Sequence, residues 1–354
     1  MTGPAAARAE RGGPEAAQPR TGLAGLVIVV GVFFLVAFGA GGAENSLRVV
    51  GPLATFGLPV VATIAFWWND WPGTNLRAGW SGLVDTVVAV AAAVLLTLLG
   101  QAVVGEVDPV ALLDAAPGPG HSATFPATLP LAAAVFTAIL QLTLVTEGWP
   151  VRRLPRLPSG IAALILCWLL GAVVYLLVVH PRGPVPGAVF GAWLTAVGVW
   201  QVLCHVVLRG WPLSTIRPDG YRRLVGNVAV VAAGWATYLP LRAAGWEPDR
   251  IGAVGGCVIA AGLVVGLLFE PWPTDRLAPA TGRWAVLAIV VALSALLYGV
   301  LSAYARQVAW RPGASADDWI TFAALDALGL GVILHVAIWR RWPVAAVTRA
   351  ADRA

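Results

Sequence analysis

The chain has 354 residues, of which 58% are hydrophobic and 12% charged, with a mean hydropathy of +0.79 and a formal net charge of +5. A soluble domain carries about 25% charged residues, so this composition excludes a water-soluble globular protein and calls for a surrounding of lipid. Every one of the 23 Lys+Arg residues is arginine; the lack of lysine excludes a Schiff base and a Walker-type phosphate loop, and arginines placed at helix ends do not form a nucleic-acid-binding stripe.

Residues 1–20 are rich in Ala, Gly, Pro and Arg and contain no apolar run, so they read as a disordered cytoplasmic tail and not as a signal peptide. Ten apolar runs follow, at about 22–42, 49–68, 81–104, 127–146, 159–179, 186–208, 222–242, 251–269, 284–306 and 319–340. Each approaches the ~20 residues a helix needs to cross the hydrocarbon core, and none alternates in the manner of barrel strands. The expected fold is all-α: a polytopic protein of ten transmembrane helices over residues 21–343, with a cytoplasmic tail at 344–354.

Arginine sets the expected orientation. With the N-terminus in the cytoplasm, 17 arginines fall on the inner side and six (Arg48, Arg182, Arg242, Arg250, Arg306 and Arg311) on the outer side. That bias predicts a multi-pass cell-membrane protein with both termini cytoplasmic. The longest outer loop, about 105–126, holds Glu106, Asp108 and Asp114 and no arginine.

Every second run ends in Trp-Pro: Trp71-Pro72, Trp149-Pro150, Trp211-Pro212, Trp272-Pro273 and Trp342-Pro343. After a gap of six to eight residues comes a small polar residue and Gly: Ser81-Gly82, Ser159-Gly160, Asp219-Gly220 and Thr281-Gly282, with Thr21-Gly22 opening the first unit. The pattern predicts five repeated helical hairpins, at about 21–72, 81–150, 159–212, 219–273 and 281–343. The polar residue is expected to cap the outgoing helix, the tryptophans to anchor at the membrane interface, and the proline to stop the returning helix. Polar residues sit just before each Trp-Pro (Asn69-Asp70, Glu147, Arg209, Glu270, Arg340-Arg341); either the Trp-Pro pairs are simply interfacial anchors inherited by duplication, or these residues form a cytoplasmic docking or gating ring of alternating Glu and Arg.

Ionisable groups inside spans are costly, so each is a functional candidate. Asp85 lies about one turn into the third span, and Asp326 about two turns into the tenth, roughly 10 Å deep. For Asp326 the alternatives are pairing with a helix-end arginine such as Arg306, or coupling to an ion or proton. His205 and His335 precede their tryptophans by six and seven residues and so share a depth. They are read as a polar interfacial pair before any haem or metal site, since two histidines do not complete a coordination sphere. Asn227, Gln101, Gln141 and Gln201 are expected to bond between helices, and the glycines of the eighth span (Gly252, Gly255, Gly256, Gly262, Gly266) to mark close packing. Asp317-Asp318 reads as an N-cap of the tenth span.

Cys167, Cys204 and Cys257 sit in apolar runs without CxxC spacing, so no disulfide framework or zinc site is expected. No cofactor, metal or catalytic signature is present, and an enzyme is the less favoured reading. Three functions remain: a transporter or channel for a small apolar or amphipathic molecule; a structural or assembly subunit of a membrane complex; and a membrane-embedded enzyme acting on a lipid or isoprenoid. The lipid bilayer is the one partner the sequence specifies.

Overall fold

The computed structural model describes residues 18–180 and 183–344; residues 1–17 and 345–354, read above as tails, and Arg182 lie outside the described residues. The described chain forms helices α1 (Arg20–Phe38), α2 (Ala43–Trp67), α3 (Ala78–Val104), the short α4 (Pro109–Leu113), α5 (Leu129–Val145), α6 (Arg156–Val178), α7 (Gly187–Val207), α8 (Asp219–Ala243), α9 (Pro248–Leu268), α10 (Pro279–Ala305) and α11 (Ala316–Ile338). No strand occurs among the described residues. A backbone in lipid must satisfy its own N–H and C=O groups, and helices do so within each segment.

Nine of these helices are long and apolar enough to cross a membrane. The tenth apolar helix, α5, has 17 residues when its two parts (12 and 5) are added. At ~1.5 Å per residue it spans about 25 Å against a core of about 30 Å. It starts late because the preceding chain is tied into the loop around α4.

Burial separates two sets of helices. In α2, α7, α9 and α11, 72, 44, 72 and 61% of the apolar stretch is buried, against 22–28% in α1, α3, α6, α8 and α10. The first set, with α5, packs neighbour to neighbour in the order α2, α5, α7, α9, α11 and back to α2. Each outer helix lies mainly on the inner helix before it in the chain: α3 on α2, α6 on α5, α8 on α7, α10 on α9. Helix α1 lies on α11, with a second contact on α2. Outward faces remain apolar, with Val27, Leu95, Leu177, Val228 and Val291 all exposed, a surface that suits lipid.

Small residues make the inner–outer contacts. A Cβ on Gly171 of α6 would sit 3.0 Å from the backbone nitrogen of Val135 on α5, and one on Gly234 of α8 would sit 3.2 Å from the backbone of Val197 on α7. Helix α9 needs glycine on two sides because it is held between two neighbours. Gly255, Gly262 and Gly266 meet Thr195, Val202 and Val206 of α7, while Gly252 and Gly256 meet Thr321 of α11.

The helix ends differ from the expectation of polar caps. Helices α3, α6 and α10 begin three or two residues before Ser81, Ser159 and Thr281, after Arg77, Pro155 and Ala278 in extended or polyproline-like backbone, and none has a side-chain cap. Ser81 and Ser159 lie inside the first turn and are buried; Ser159 returns its hydroxyl to Arg156 O. The adjacent glycines are notches for an aromatic ring from another hairpin: Gly82 receives Trp339, Gly160 receives Trp68, and Gly22 receives Phe269. Asp317-Asp318 is likewise not the cap; Ser315 is, and Asp318 closes a capping box from the third helical position.

Proline does not stop the inner helices either. Each widens into a five-residue π turn ending four residues before its tryptophan: Thr63–Trp67, Gln141–Val145, Leu203–Val207, Val264–Leu268 and Leu334–Ile338. One residue then intervenes before the chain turns left-handed, at Asn69 (φ 44°), Glu147 (φ 55°), Arg209 (φ 51°), Glu270 (φ 54°) and Arg340 (φ 49°). The reversal lets a later amide reach back into the helix, as Asp70 N does to Ile64 O and Arg341 N to His335 O. The polar residues before each Trp-Pro are thus the residues that reverse the chain.

Candidate functional site

At the Trp-Pro end the charges pair with one another. Glu147 accepts from Arg222 at 2.6 Å and from Arg223 at 3.4 Å. Arg340 meets Asp70 at 3.0 Å, and Arg341 meets Glu270 at 2.6 Å and donates to Leu267 O and Leu268 O. Arg156 donates to Asn69 O, and the Arg283 guanidinium lies 4.7 Å from the Trp211 ring. These groups are clasps between separate helices and turns, spent on each other. Of the five tryptophans, Trp71, Trp149 and Trp342 are exposed and Trp211 and Trp272 half-buried.

Asp85 is fully buried and has a structural employer. Its Oδ1 accepts the amide of Gly73 at 2.9 Å, and the Ser81 hydroxyl donates to Oδ2 at 3.5 Å. Gly73 must be glycine here, because a Cβ would come within 2.6 Å of both the carboxylate and Ser81 Oγ. The carboxylate therefore ties the turn after α2 to the first turns of α3.

The histidines have different surroundings. His205 faces its own helix, with Nδ1 3.3 Å from Gln201 O. His335 is buried against Gly25 of α1, and neither ring nitrogen has a hydrogen-bond partner among the described residues. No hydrogen bond links the two rings, and no group of three or more His, Cys, Asp or Glu among the described residues is placed to hold a metal ion. The three cysteines are buried and unpaired.

Gln141 and Gln201 do join helices. Gln201 donates to Gln141 Oε1 at 2.7 Å, and Gln141 donates to Asn227 Oδ1 at 2.9 Å, linking α7, α5 and α8. Gln101 instead holds the loop around α4, accepting from Asp108 N and donating to Asp108 O and Thr124 Oγ1. Asp108 is the hub of that loop. The amide of Ala111 above all, then His121 Nδ1 at 2.9 Å and the Ser122 amide, hold its carboxyl below the usual aspartate value. A depressed carboxyl stabilises the fold fully above its unfolded value of ~3.9 and ceases to do so as pH falls through the lower folded value. Hydrogen–deuterium exchange, corrected for intrinsic rates, is expected to show constant protection of the Ala111 and Ser122 amides from pH 7 to about 4 and a loss below that. Loss of protection already at pH 6, where the carboxyl is still ionised, would mean that Asp108 is not what holds the loop.

Asp326 is where sequence and structure part most usefully. It is 6% exposed and lies in an eight-residue π-helical segment, Phe322–Gly329, in the middle of α11. Its expected partner Arg306 does not reach it; the contact is the hydroxyl of Thr55 on α2, 3.2 Å from Oδ2. Oδ1 has no hydrogen-bond partner among the described residues. Thr55 also lies 2.8 Å from Gly51 O in its own helix. Thr55 went unnoticed in the sequence because a threonine that bonds its own helix costs little in a span, and nothing local marks it as another helix's partner.

The hydroxyl of Thr55 carries one proton and has two acceptors within reach. Two acceptors and one donor leave an ionised Asp326 short of a hydrogen bond among the described residues, a costly state for a buried charge. A proton on Oδ2 completes the set: Asp326 donates to Thr55 Oγ1, and Thr55 donates to Gly51 O. Comparison with known protein families, curated proteins and solved structures finds no match to this chain.

Proposed function

We propose that this is a cell-membrane transporter for a small apolar or amphipathic molecule, coupled to a proton that binds at Asp326. The carrying observation is the single-proton contact among Gly51 O, Thr55 Oγ1 and Asp326 Oδ2, with no arginine present and Oδ1 unpartnered. A buried carboxyl that is complete only when protonated suits a group that loads on one side and unloads when its helix moves. The π-helical segment around it supports this, because such segments leave backbone groups loosely tied and recur at functional sites.

The reading includes ten spans in five duplicated hairpins, with both termini cytoplasmic. The same π turn, left-handed residue and Trp-Pro at five places support the duplication. The arginine bias toward the Trp-Pro end supports the orientation.

The test uses the full chain reconstituted in liposomes with an entrapped pH dye and ethidium as an amphipathic probe. Under an imposed pH gradient, wild-type protein is expected to move protons together with the probe, and Asp326→Asn to lower both rates at least about tenfold. Asparagine keeps the size and the bond to Thr55, so the melting temperature should stay within a few degrees. Equal rates in the two proteins would move the reading to an assembly subunit.

A further inference from the structure

At the end of the molecule opposite the Trp-Pro turns, a cleft of about 230 Å³ opens between the starts of α9 and α11 and the end of α10. Its lining comprises Arg250, Tyr298, Ser302, Arg306, Asp317 and Ile320, with Ala316 at the rim. Roughly eight water volumes at ~30 Å³ each would fill it, below the size of sites for drug-like molecules.

Three features show that the cleft is chemically incomplete as it stands. Ser302 is 5% exposed, and its hydroxyl has no partner among the described residues. On the same helix Ser294 returns its hydroxyl to Val291 O, so an idle hydroxyl is not the habit of α10. Next, neither Arg250 nor Arg306 has an ion pair or side-chain hydrogen bond among the described residues; the Arg250 guanidinium lies 5.2 Å from the Trp246 ring. Both arginines line the cleft together with Asp317, and neither forms an ion pair with it among the described residues. Last, Asp317 itself accepts no hydrogen bond through its side chain, whereas its neighbour Asp318 is used up in the capping box.

Two guanidinium groups and a hydroxyl offer donors for an anionic oxygen group, and the carboxylate opposite offers an acceptor for an ammonium. A bare anion would meet the repulsion of Asp317 and of Asp249, which faces it. A bare cation would meet the two arginines. We propose that this cleft binds a small zwitterion: its carboxylate or phosphate between Arg250, Arg306 and Ser302, its ammonium against Asp317, and its short carbon chain over Tyr298 and Ile320. The same chemistry is carried by a free amino acid and by an ethanolamine lipid headgroup. The site is independent of Asp326, which lies six residues beyond Ile320, ~9 Å further along α11.

The experiment follows thermal unfolding of the full chain in detergent. The probes are β-alanine as free zwitterion, acetate as anion, ethylammonium as cation, and micelles doped with phosphatidylethanolamine or phosphatidylcholine. β-Alanine or phosphatidylethanolamine is expected to raise the melting temperature, and acetate, ethylammonium and phosphatidylcholine are not. The active member of the first pair tells a free solute from a headgroup. Ser302→Ala should raise the half-saturating concentration at least about tenfold, the loss of one hydrogen bond to a charged group. Asp317→Asn should raise it at least about tenfold while the unliganded protein melts as before. Stabilisation by acetate that persists in Asp317→Asn would overturn the proposal in favour of a plain anion site. Absence of any shift in the wild type would overturn it outright. Neither result bears on proton flux through Asp326.

Discussion

Asp85→Ala is expected to destabilise the protein by about 2–3 kcal/mol, because it strands the buried Gly73 amide. The melting temperature in detergent should fall by several degrees, on the scale of ~2–4 °C per kcal/mol. Asp85→Asn separates the two readings of this residue. An asparagine oxygen still accepts from Gly73, so the cost should stay below about 1 kcal/mol and proton flux should be unchanged. A collapse of flux in Asp85→Asn with a normal melting temperature would give Asp85 a transport role that its present contacts do not suggest.

Gly234→Leu should cost about 3 kcal/mol, at the upper end of overpacking effects. The new side chain meets the Val197 backbone at 3.2 Å and its Cγ2 at 2.6 Å, and a backbone in a packed helix cannot rotate aside as a side chain can. Helices α7 and α8 must then separate, which also strains the Trp200–Thr237 hydrogen bond of 2.9 Å between them. Gly31→Leu is the control, since a Cβ there meets nothing within 4 Å; it should be neutral or slightly stabilising through helix propensity. Equal melting temperatures for the two variants would mean that α8 is held by something other than this contact.

The apolar helices were legible because apolar length is a strong signal, and the turns that follow α2, α5, α7, α9 and α11 because Trp-Pro recurs at each of them. The starts of α3, α6 and α10 were not legible. Ser81, Ser159 and Thr281 resemble caps in the sequence, yet the chain turns earlier, at residues whose extended backbone is set by neighbouring prolines or by the packing of the turn. The value of Gly82, Gly160 and Gly22 lies in being small under a ring supplied from as far away as Trp339 on Gly82, whereas Gly282 makes room for Thr274 O. The partner of Asp326 was hidden for a related reason. Thr55 is 271 residues away, and only the closure of the inner ring puts α2 beside α11. Arg306, the partner suggested by sequence, is near in the chain but faces the cleft around Asp317.

That closure also fixes an order of events during synthesis. Helix α1 leaves the ribosome well before the surface it rests on, Phe322–Gly329 of α11, which is made almost three hundred residues later. At ~5–20 residues per second α1 waits for many seconds in the bilayer, resting on α2 and later on the end of α9, before α11 arrives. Its mean hydropathy of 2.6 makes that wait tolerable in lipid and in no other solvent. A nascent chain halted before residue 316 would hold four inner helices in an open arc, its unfilled gap the point at which an insertion chaperone or the quality-control machinery would find it.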